Sequence, residues 1–455
     1  MGSTINLPQR PSADALTKFL KSNHEIEYIR YQWLDMGNVQ RLIVVTKEHA
    51  LNLGNKPLKV SCLCFGVLPD ESFNVTRFKP AGYDELYPDW QSLRICTYIG
   101  DGKKYANVMC FVKEQSRNFP AWERDPRSLL VGALQRAEAD LDLRFLIGYE
   151  IEFYLSDGTN RESTRPFEQF NQFYGAAALR DNRVLTVLEE IVQALLKAGI
   201  KATHFHSELG HGMFEIPTGP LRPIDAVDAL VFCKDAVQTI AHKHGFTATC
   251  FPKPELSPST VAVGAHTHFS IDDATPKIAD SFLAGILDNL PALCAFSMPN
   301  FDSYHRLGGF RGTVGSWVGW GTEDKDVAIR KISGRTGYWE LRTADQMANM
   351  YYALAAWITA GCDGVKKQKE LRWKDPPSMV AVMTPEQIAE MGWDTQLPLS
   401  LEDSLNALET AVKSHVLDDL GVDFLNMYLQ FKRLEAKQAS EKSEEERLRV
   451  LSKIF

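Results

Sequence analysis

The chain has no Cys-x-x-Cys pair: its eight cysteines are scattered, and only Cys62 and Cys64 stand close together. That spacing argues against a zinc knuckle or a disulfide frame and for reduced thiols, so a cytoplasmic protein is expected. Neither G-x-x-x-x-G-K-[ST] nor G-x-G-x-x-G occurs, which leaves no P-loop and no Rossmann turn to cradle a phosphate. No run of about 18 apolar residues, the length of a membrane span, is found. MGSTINLPQR has no apolar leader core and no hydroxyl residue at its sixth position, and LSKIF carries no prenylation or peroxisomal signal. Basic residues do not cluster, and 50 Lys and Arg against 58 Asp and Glu leave a net charge of −8, which repels phosphate backbones and anionic lipid. The expected partners are therefore small molecules, with no nucleic acid and no membrane.

What is present is ordinary for a globular protein: 455 residues, 44% hydrophobic and 24% charged, enough for two or three domains and a large core. SADALTKFLKSN sets Leu16, Phe19 and Leu20 at helical spacing behind a Ser12 cap. EYIRYQWLD, QRLIVVTK and KVSCLCFGV read as strands separated by turns, so residues 1–118 form a small β-rich unit. From about KEQSRNFPAWERDPRSLL onward, long helices alternate with strands, giving a second domain over residues 119–455. Val184, Leu188, Ile191 and Leu195 make one helix face closed by Gly199. Asp225 to Gly245, Asp280 to Leu293, Asp345 to Gly361 and most of the last fifty residues also read as helix. The class is α+β.

Side chains alternate across a strand, so residues two apart share a face. In RFLIGYEIEFYL, one face carries Phe145, Ile147, Tyr149, Ile151, Phe153 and Leu155; the other carries Leu146, Gly148, Glu150, Glu152 and Tyr154. Two carboxylates on a partly apolar strand face are unusual, although a solvated outer face is the plain explanation. Other strands repeat the theme. His266 and His268 share a face in AVGAHTHFSI, Glu340 and Arg342 in GYWELRTAD, and HFHSELGHGMFE brings His204, His206 and Glu208, then Glu215. Several close carboxylates stay ionised in a low-dielectric site only when cations neutralise them. Carboxylate oxygens with few nitrogens suit Mg²⁺ or Mn²⁺ better than Zn²⁺. Arg306, Arg330 and Arg342 add groups that hold phosphate or carboxylate, so a polyphosphate held by metals and arginines is the first chemical expectation.

The segments GYEIEFYL, ELGHGMFEIP, HGFTATCFPKP, GAHTHFS, SYHRL, WGTEDKDVAIRKI and ELRTADQMANMYYALAAWITAGCDGV, in that order, resemble the glutamine synthetase family, with DMGNVQR and GYDELYPDW extending the likeness toward the N-terminus. The resemblance implies a β-grasp-like N-terminal domain, a catalytic domain whose antiparallel sheet forms a funnel surrounded by helices, and a ring-shaped homo-oligomer, a decamer or dodecamer. It implies ATP as co-substrate and two or three Mg²⁺ or Mn²⁺ ions per site. Glu152, Glu208 and Glu215 match the ligands of one ion; Glu150, His266 and Glu340 match those of the ion beside the nucleotide phosphates. Arg306 and Arg342 match catalytic residues that hold the amino-acid substrate and the transferred phosphoryl group. Arg330 and Lys325 match substrate- and nucleotide-binding positions.

The chain departs from that pattern where the family reads glutamate and ammonium. VAVGAH stands for the usual NGSGMH, placing Val261 and Ala262 where an asparagine and a glycine are usual. Gly212 and Met213 replace a glycine-glutamine pair, and SYHRLGGFRGTV has Gly312 near the place of a flap glutamate. CFGVLPDE, with Asp70, replaces FDGSS, while Asp324 and Lys325 replace an asparagine-arginine pair. Residues for metals and phosphates are kept, and those for ammonium are changed. The reading is an ATP-dependent carboxylate-amine ligase using an organic amine, similar to γ-glutamyl-amine ligases and to fungal glutamine-synthetase-like proteins. A catalytically degenerate structural or regulatory relative is the alternative, and a zinc hydrolase built on the paired histidines is a third reading.

Overall fold

The computed structural model describes residues 14–62, 67–69, 82–114, 124–157, 173–254, 260–307 and 314–455. The boundary expected near residue 118 lies outside these residues, as do Ser12, Asp70 and Gly312. The first six strands are β1 (Tyr28–Leu34), β2 (Gln40–Thr46), β3 (Leu58–Ser61), β4 (Tyr83–Pro88), β5 (Arg94–Cys96) and β6 (Tyr105–Lys113). They form one sheet in the order β2-β1-β6-β4-β3, with β5 also on β6, and β1 and β6 run parallel. Helix α1 (Asp14–Ser22) precedes them, and α2 (Lys47–Leu53) lies between β2 and β3. The sequence reading expects only turn residues there. Thr46 instead caps a two-turn helix, its hydroxyl accepting the His49 N–H at 3.3 Å, a start signal that a short, weakly amphipathic segment does not advertise.

Helix α3 (Pro126–Leu141) leads into β7 (Phe145–Asp157), the long strand that organises everything after it. Around β7 gather β8 (His206–Ser207), β9 (Met213–Pro217), β10 (Phe246–Thr249), β11 (Thr267–Ile271), β12 (Trp320–Thr322), β13 (Ile329–Lys331) and β14 (Tyr338–Leu341). Their order is β12-β13-β14-β11-β7-β9-β8, with β10 also on β7; all pairs are antiparallel except β12 with β13. The alternation in β7 is realised. Phe145, Ile147, Tyr149, Ile151, Phe153 and Leu155 are all fully buried against the helices, and that apolar face sets the register of the whole sheet.

The helices cover the buried face: α4 (Asn182–Lys197), α5 (Pro223–Lys243), α6 (Pro276–Ser297) and α7 (Met350–Lys366). Helix α7 begins five residues later than expected, because Asp345 to Asn349 form a turn in which Asp345 accepts the Met347 N–H at 2.8 Å. Helix α6 is long and apolar enough by composition to cross a membrane, although Asp280, Asp288 and Asn289 interrupt it, so it is no unbroken apolar run. It is instead a core helix, 78% of its most apolar stretch being buried inside the molecule. The remaining helices are α8 (Pro385–Glu390), α9 (Leu401–Lys413), α10 (Val422–Ser440) and α11 (Glu444–Leu451). After α11 the chain turns inward, and Phe455 packs with Phe251, Met347, Leu448 and Leu451.

Candidate functional site

The second face of β7 carries Glu150 and Glu152, and the sheet brings every other acidic candidate to it. Glu215 of β9 lies directly opposite Glu152 in the β7–β9 ladder, a like-charge cross-strand pair that is destabilising unless something positive sits between. Glu340 of β14 pairs with His268 of β11, which pairs in turn with Gly148 of β7. Thus four strands, distant in sequence, converge on one patch.

Three donor groups result, each with all its ligand atoms within 4.8 Å of one another: Glu150, His266 and Glu340; Glu150, Glu152 and Glu215; and His206, Glu208 and Glu215. Glu150 and Glu215 each belong to two groups, so the three are contiguous. His266 Nδ1 lies 3.1 Å from Glu150 Oε2, 3.3 Å from Glu152 Oε1 and 3.6 Å from Glu340 Oε1. His206 Nε2 is 3.3 Å from Glu215 Oε1, and its Nδ1 is 3.7 Å from Glu208 Oε1. His268 Nε2 bonds Glu150 Oε1 at 2.9 Å while its Nδ1 meets the Tyr338 hydroxyl at 2.8 Å. A ring carrying its proton on Nε2 satisfies both contacts, since Nδ1 then accepts from the phenol.

Electrostatics divide the carboxylates. Burial pushes Glu152 well above the usual range, and the Glu215 and Glu208 charges push it further. Burial, then Glu150 and Glu208, raise Glu215 to about 9, and burial raises Glu208 as well. Burial also opposes ionisation of Glu150, but bonds from His266 and His268 outweigh it and hold that carboxyl below its usual range. For Glu340, the Arg342 and His266 charges likewise overcome burial. Burial, then the Arg342 charge, lowers His266, which favours the neutral imidazole, the form that ligates a metal. Its Nε2 is buried with no hydrogen-bond partner.

The donor set therefore fits hard divalent cations: five carboxylates, with one imidazole at most in any group. Among the described residues no group joins two histidines, so the paired histidines do not build a zinc site of the expected kind. The grouping of Glu152 with Glu208 and Glu215 is only partly reproduced, since Glu152 joins Glu150 and Glu215, while Glu208 joins His206.

The arginines frame the same patch. Arg330 donates to Glu340 Oε2 at 2.9 Å and to Glu323 Oε2 at 2.5 Å, and Arg342 pairs with the other Glu340 oxygen. Arg306, at the end of a short 3-10 turn (Phe301–Arg306), is fully buried and donates to the carbonyls of Thr343 at 2.7 Å and Arg342 at 3.1 Å. It braces the chain just after β14. Lys325 is exposed, and its charge acts on Glu208 and Glu215.

His206 and His268 are site residues that the sequence assignment leaves out, although their alternation with Glu208 and His266 is visible in HFHSE and HTH. Tyr174 is a further one, with no sequence signal: its ring stands 4.5 Å from that of His206. The altered VAVGAH segment closes one side. Gly264 N–H donates to Glu152 Oε2 at 2.6 Å, and the Val261 carbonyl accepts the Tyr154 hydroxyl at 2.8 Å. Tyr154, Met213 and Val263 pack as a small apolar cluster with Val261 beside them, so an apolar wall adjoins the Glu152–Glu215 pair.

A family model described as glutamine synthetase, catalytic domain, matches residues 123–450. The chain is 32% identical over 446 residues to protein fluG of Emericella nidulans, covering 97% of this chain and 50% of that protein, so it spans about half of that relative's length. It is 28% identical over 449 residues to a glutamate–isopropylamine ligase of a Pseudomonas species, covering 92% and 93% of the two chains. A solved structure titled as a GmaS/ADP complex superposes with a TM-score of 0.80 at 25% identity, covering 95% of this chain and 98% of that one.

Proposed function

The chain belongs to the glutamine synthetase catalytic-domain family, and from that premise we propose that it is an ATP-dependent carboxylate-amine ligase whose nucleophile is an organic amine. The observation that carries this reading is the convergence on Glu150 of three further carboxylates, Glu152, Glu215 and Glu340, and of His266, with Arg330 and Arg342 held on Glu340 beside them. Glu150, His266 and Glu340 would hold one divalent ion, and Glu152, Glu215, Glu208 and His206 would hold one or two more. Mg²⁺ or Mn²⁺ bound there supplies charge neutralisation for the nucleotide phosphates.

The reaction has two displacements. A substrate carboxylate oxygen attacks the γ-phosphorus of ATP, ADP leaves, and an acyl phosphate forms; the amine nitrogen then attacks the acyl carbon, phosphate leaves, and the nitrogen loses a proton. Negative charge builds on the moving phosphoryl group, where Arg330 and Arg342 present fixed positive charge that needs no reorganisation. Arg306 acts from beneath by fixing the carbonyls of Arg342 and Thr343. Lys325, at the rim, offers a point charge to an anionic substrate group. The Pseudomonas relative, a glutamate–isopropylamine ligase by name, supports an alkylamine class. A cytoplasmic location is supported by the seven described cysteines, all of them buried thiols. A ring of ten or twelve copies rests on the family likeness.

The test is ADP release from ATP with Mg²⁺ or Mn²⁺, across carboxylic acids with and without amines. We expect turnover with an acid and an organic amine, weak response to glutamate plus ammonium, and loss of all ADP release in Glu150→Ala. Turnover that persists unchanged in that variant sinks the proposal, as does magnesium-nucleotide binding that calorimetry fails to detect.

A further inference from the structure

Gly264 links two of the donor groups through the backbone. Its N–H donates to Glu152 Oε2 at 2.6 Å, and His266 follows two residues later. A glycine in that position leaves the backbone free to turn, so its orientation has to be fixed from outside. The peptide joining Gly264 to Ala265 is fixed at both of its polar atoms. Its carbonyl accepts the side-chain amide of Gln346 at 3.0 Å, and its N–H donates to the Ala344 carbonyl at 2.9 Å. The Ala344 contact runs backbone to backbone and is open to any sequence. The Gln346 contact depends on one side chain.

Gln346 is buried, and its Oε1 finds no donor among the described residues. A buried amide with an unpaired acceptor costs the fold stability that an apolar side chain of similar length would not. Its backbone is held as well: the Gln346 carbonyl accepts the Lys234 ammonium from α5 and, at 3.4 Å, the Asn38 amide from the turn between β1 and β2. Burial pushes Lys234 below the usual lysine range, so a charge placed there is costly unless it is committed to a partner. That partner is the carbonyl of Gln346. We infer that Gln346 is a positioning residue, which acts through the Gly264 peptide to align Glu152 and His266 for divalent ions. Glu152 belongs to one donor group and His266 to another, so a single amide bears on both. This rests on the metal-site reading and adds to it a residue that ligates nothing.

The test titrates MnCl2 alone into the full chain by calorimetry, for wild type, Gln346→Met and Gln346→Asn, with urea unfolding alongside. Methionine keeps the length of the side chain and loses the donor. Mn²⁺ affinity should fall about tenfold or more in Gln346→Met while the unfolding midpoint stays close to wild type, a split that a space-filling residue would not give. Wild-type affinity in the folded variant overturns the inference. If Gln346→Met does not fold, Gln346→Asn, whose amide stops one methylene short of Gly264, takes its place: weaker Mn²⁺ binding upholds the inference and wild-type binding overturns it. Should wild type bind no Mn²⁺, the metal reading fails by itself, and hydrogen exchange over residues 263–266 decides the positioning. Faster exchange there in the variant, with α7 unchanged, upholds it; equal exchange overturns it.

Discussion

An added Cβ at Gly264 would stand 2.6 Å from His266 Nε2, closer than non-bonded atoms approach, and the ring is wedged among three carboxylates. Gly264→Ala must therefore displace either the imidazole or the backbone N–H that holds Glu152. The expected outcome is a loss of about 1–3 kcal/mol in stability together with loss of divalent-ion binding, read by urea melts and by calorimetry; full metal affinity in a folded variant would contradict it. Glu215 gives a pH signature. Its folded-state carboxyl is raised to about 9, whereas an unfolded glutamate titrates near about 4.3. Between those values the folded chain holds a proton that the unfolded chain has released, so stability falls as pH rises through the upper one. His266, lowered by burial, makes stability rise only up to the ordinary histidine range, so the window above about pH 7 isolates the carboxylates. Chelated protein should melt at progressively lower temperature from pH 7 toward 9, and Mg²⁺ should recover more at the alkaline end. Glu215→Gln should flatten that slope, and an unchanged slope in the variant would refute the assignment.

At the scale of elements, the sheet positions the site and two helices hold the sheet. Helices α6 and α7 cross at Gly285 and Gly364, where a Cβ on Gly285 would lie 2.3 Å from the Ala360 carbonyl and one on Gly364 would lie 2.2 Å from the Ser281 carbonyl. Backbone against backbone leaves no side chain to yield, so Gly285→Ala must push the helices apart. We expect it to lower stability by about 2 kcal/mol or more, measured by denaturant unfolding, with larger loss in Gly285→Val. The helical faces were legible from spacing: Val184, Leu188, Ile191 and Leu195 are buried along α4 as expected. Helix α2 was not, because its start depends on one threonine hydroxyl and its seven residues have little periodicity.

Across the whole molecule, the described residues form two sheets. The edge strand β2 of the N-terminal sheet turns Leu42 and Val44 outward, 39% and 47% exposed, and unpaired edges with apolar side chains invite a covering partner. For the ring proposed above, light scattering of purified protein should return ten or twelve chain masses; a single chain mass would exclude it. Leu42→Lys with Val44→Lys should shift the population toward smaller species if β2 lies between copies.

By itself the sequence determined the alternation in β7, the helix faces, the acidic character of the site and the family resemblance, because periodicity and donor chemistry are local properties. Only the tertiary structure decided which carboxylates share a neighbour. Glu152 stands opposite Glu215, and Glu208 turns to His206, because strand register and the turn after β8 set those distances. The role of Arg306 under β14 and the approach of Tyr174 to His206 were equally invisible beforehand. Both depend on contacts between residues far apart along the chain, and no spacing rule along one strand or helix encodes such a meeting.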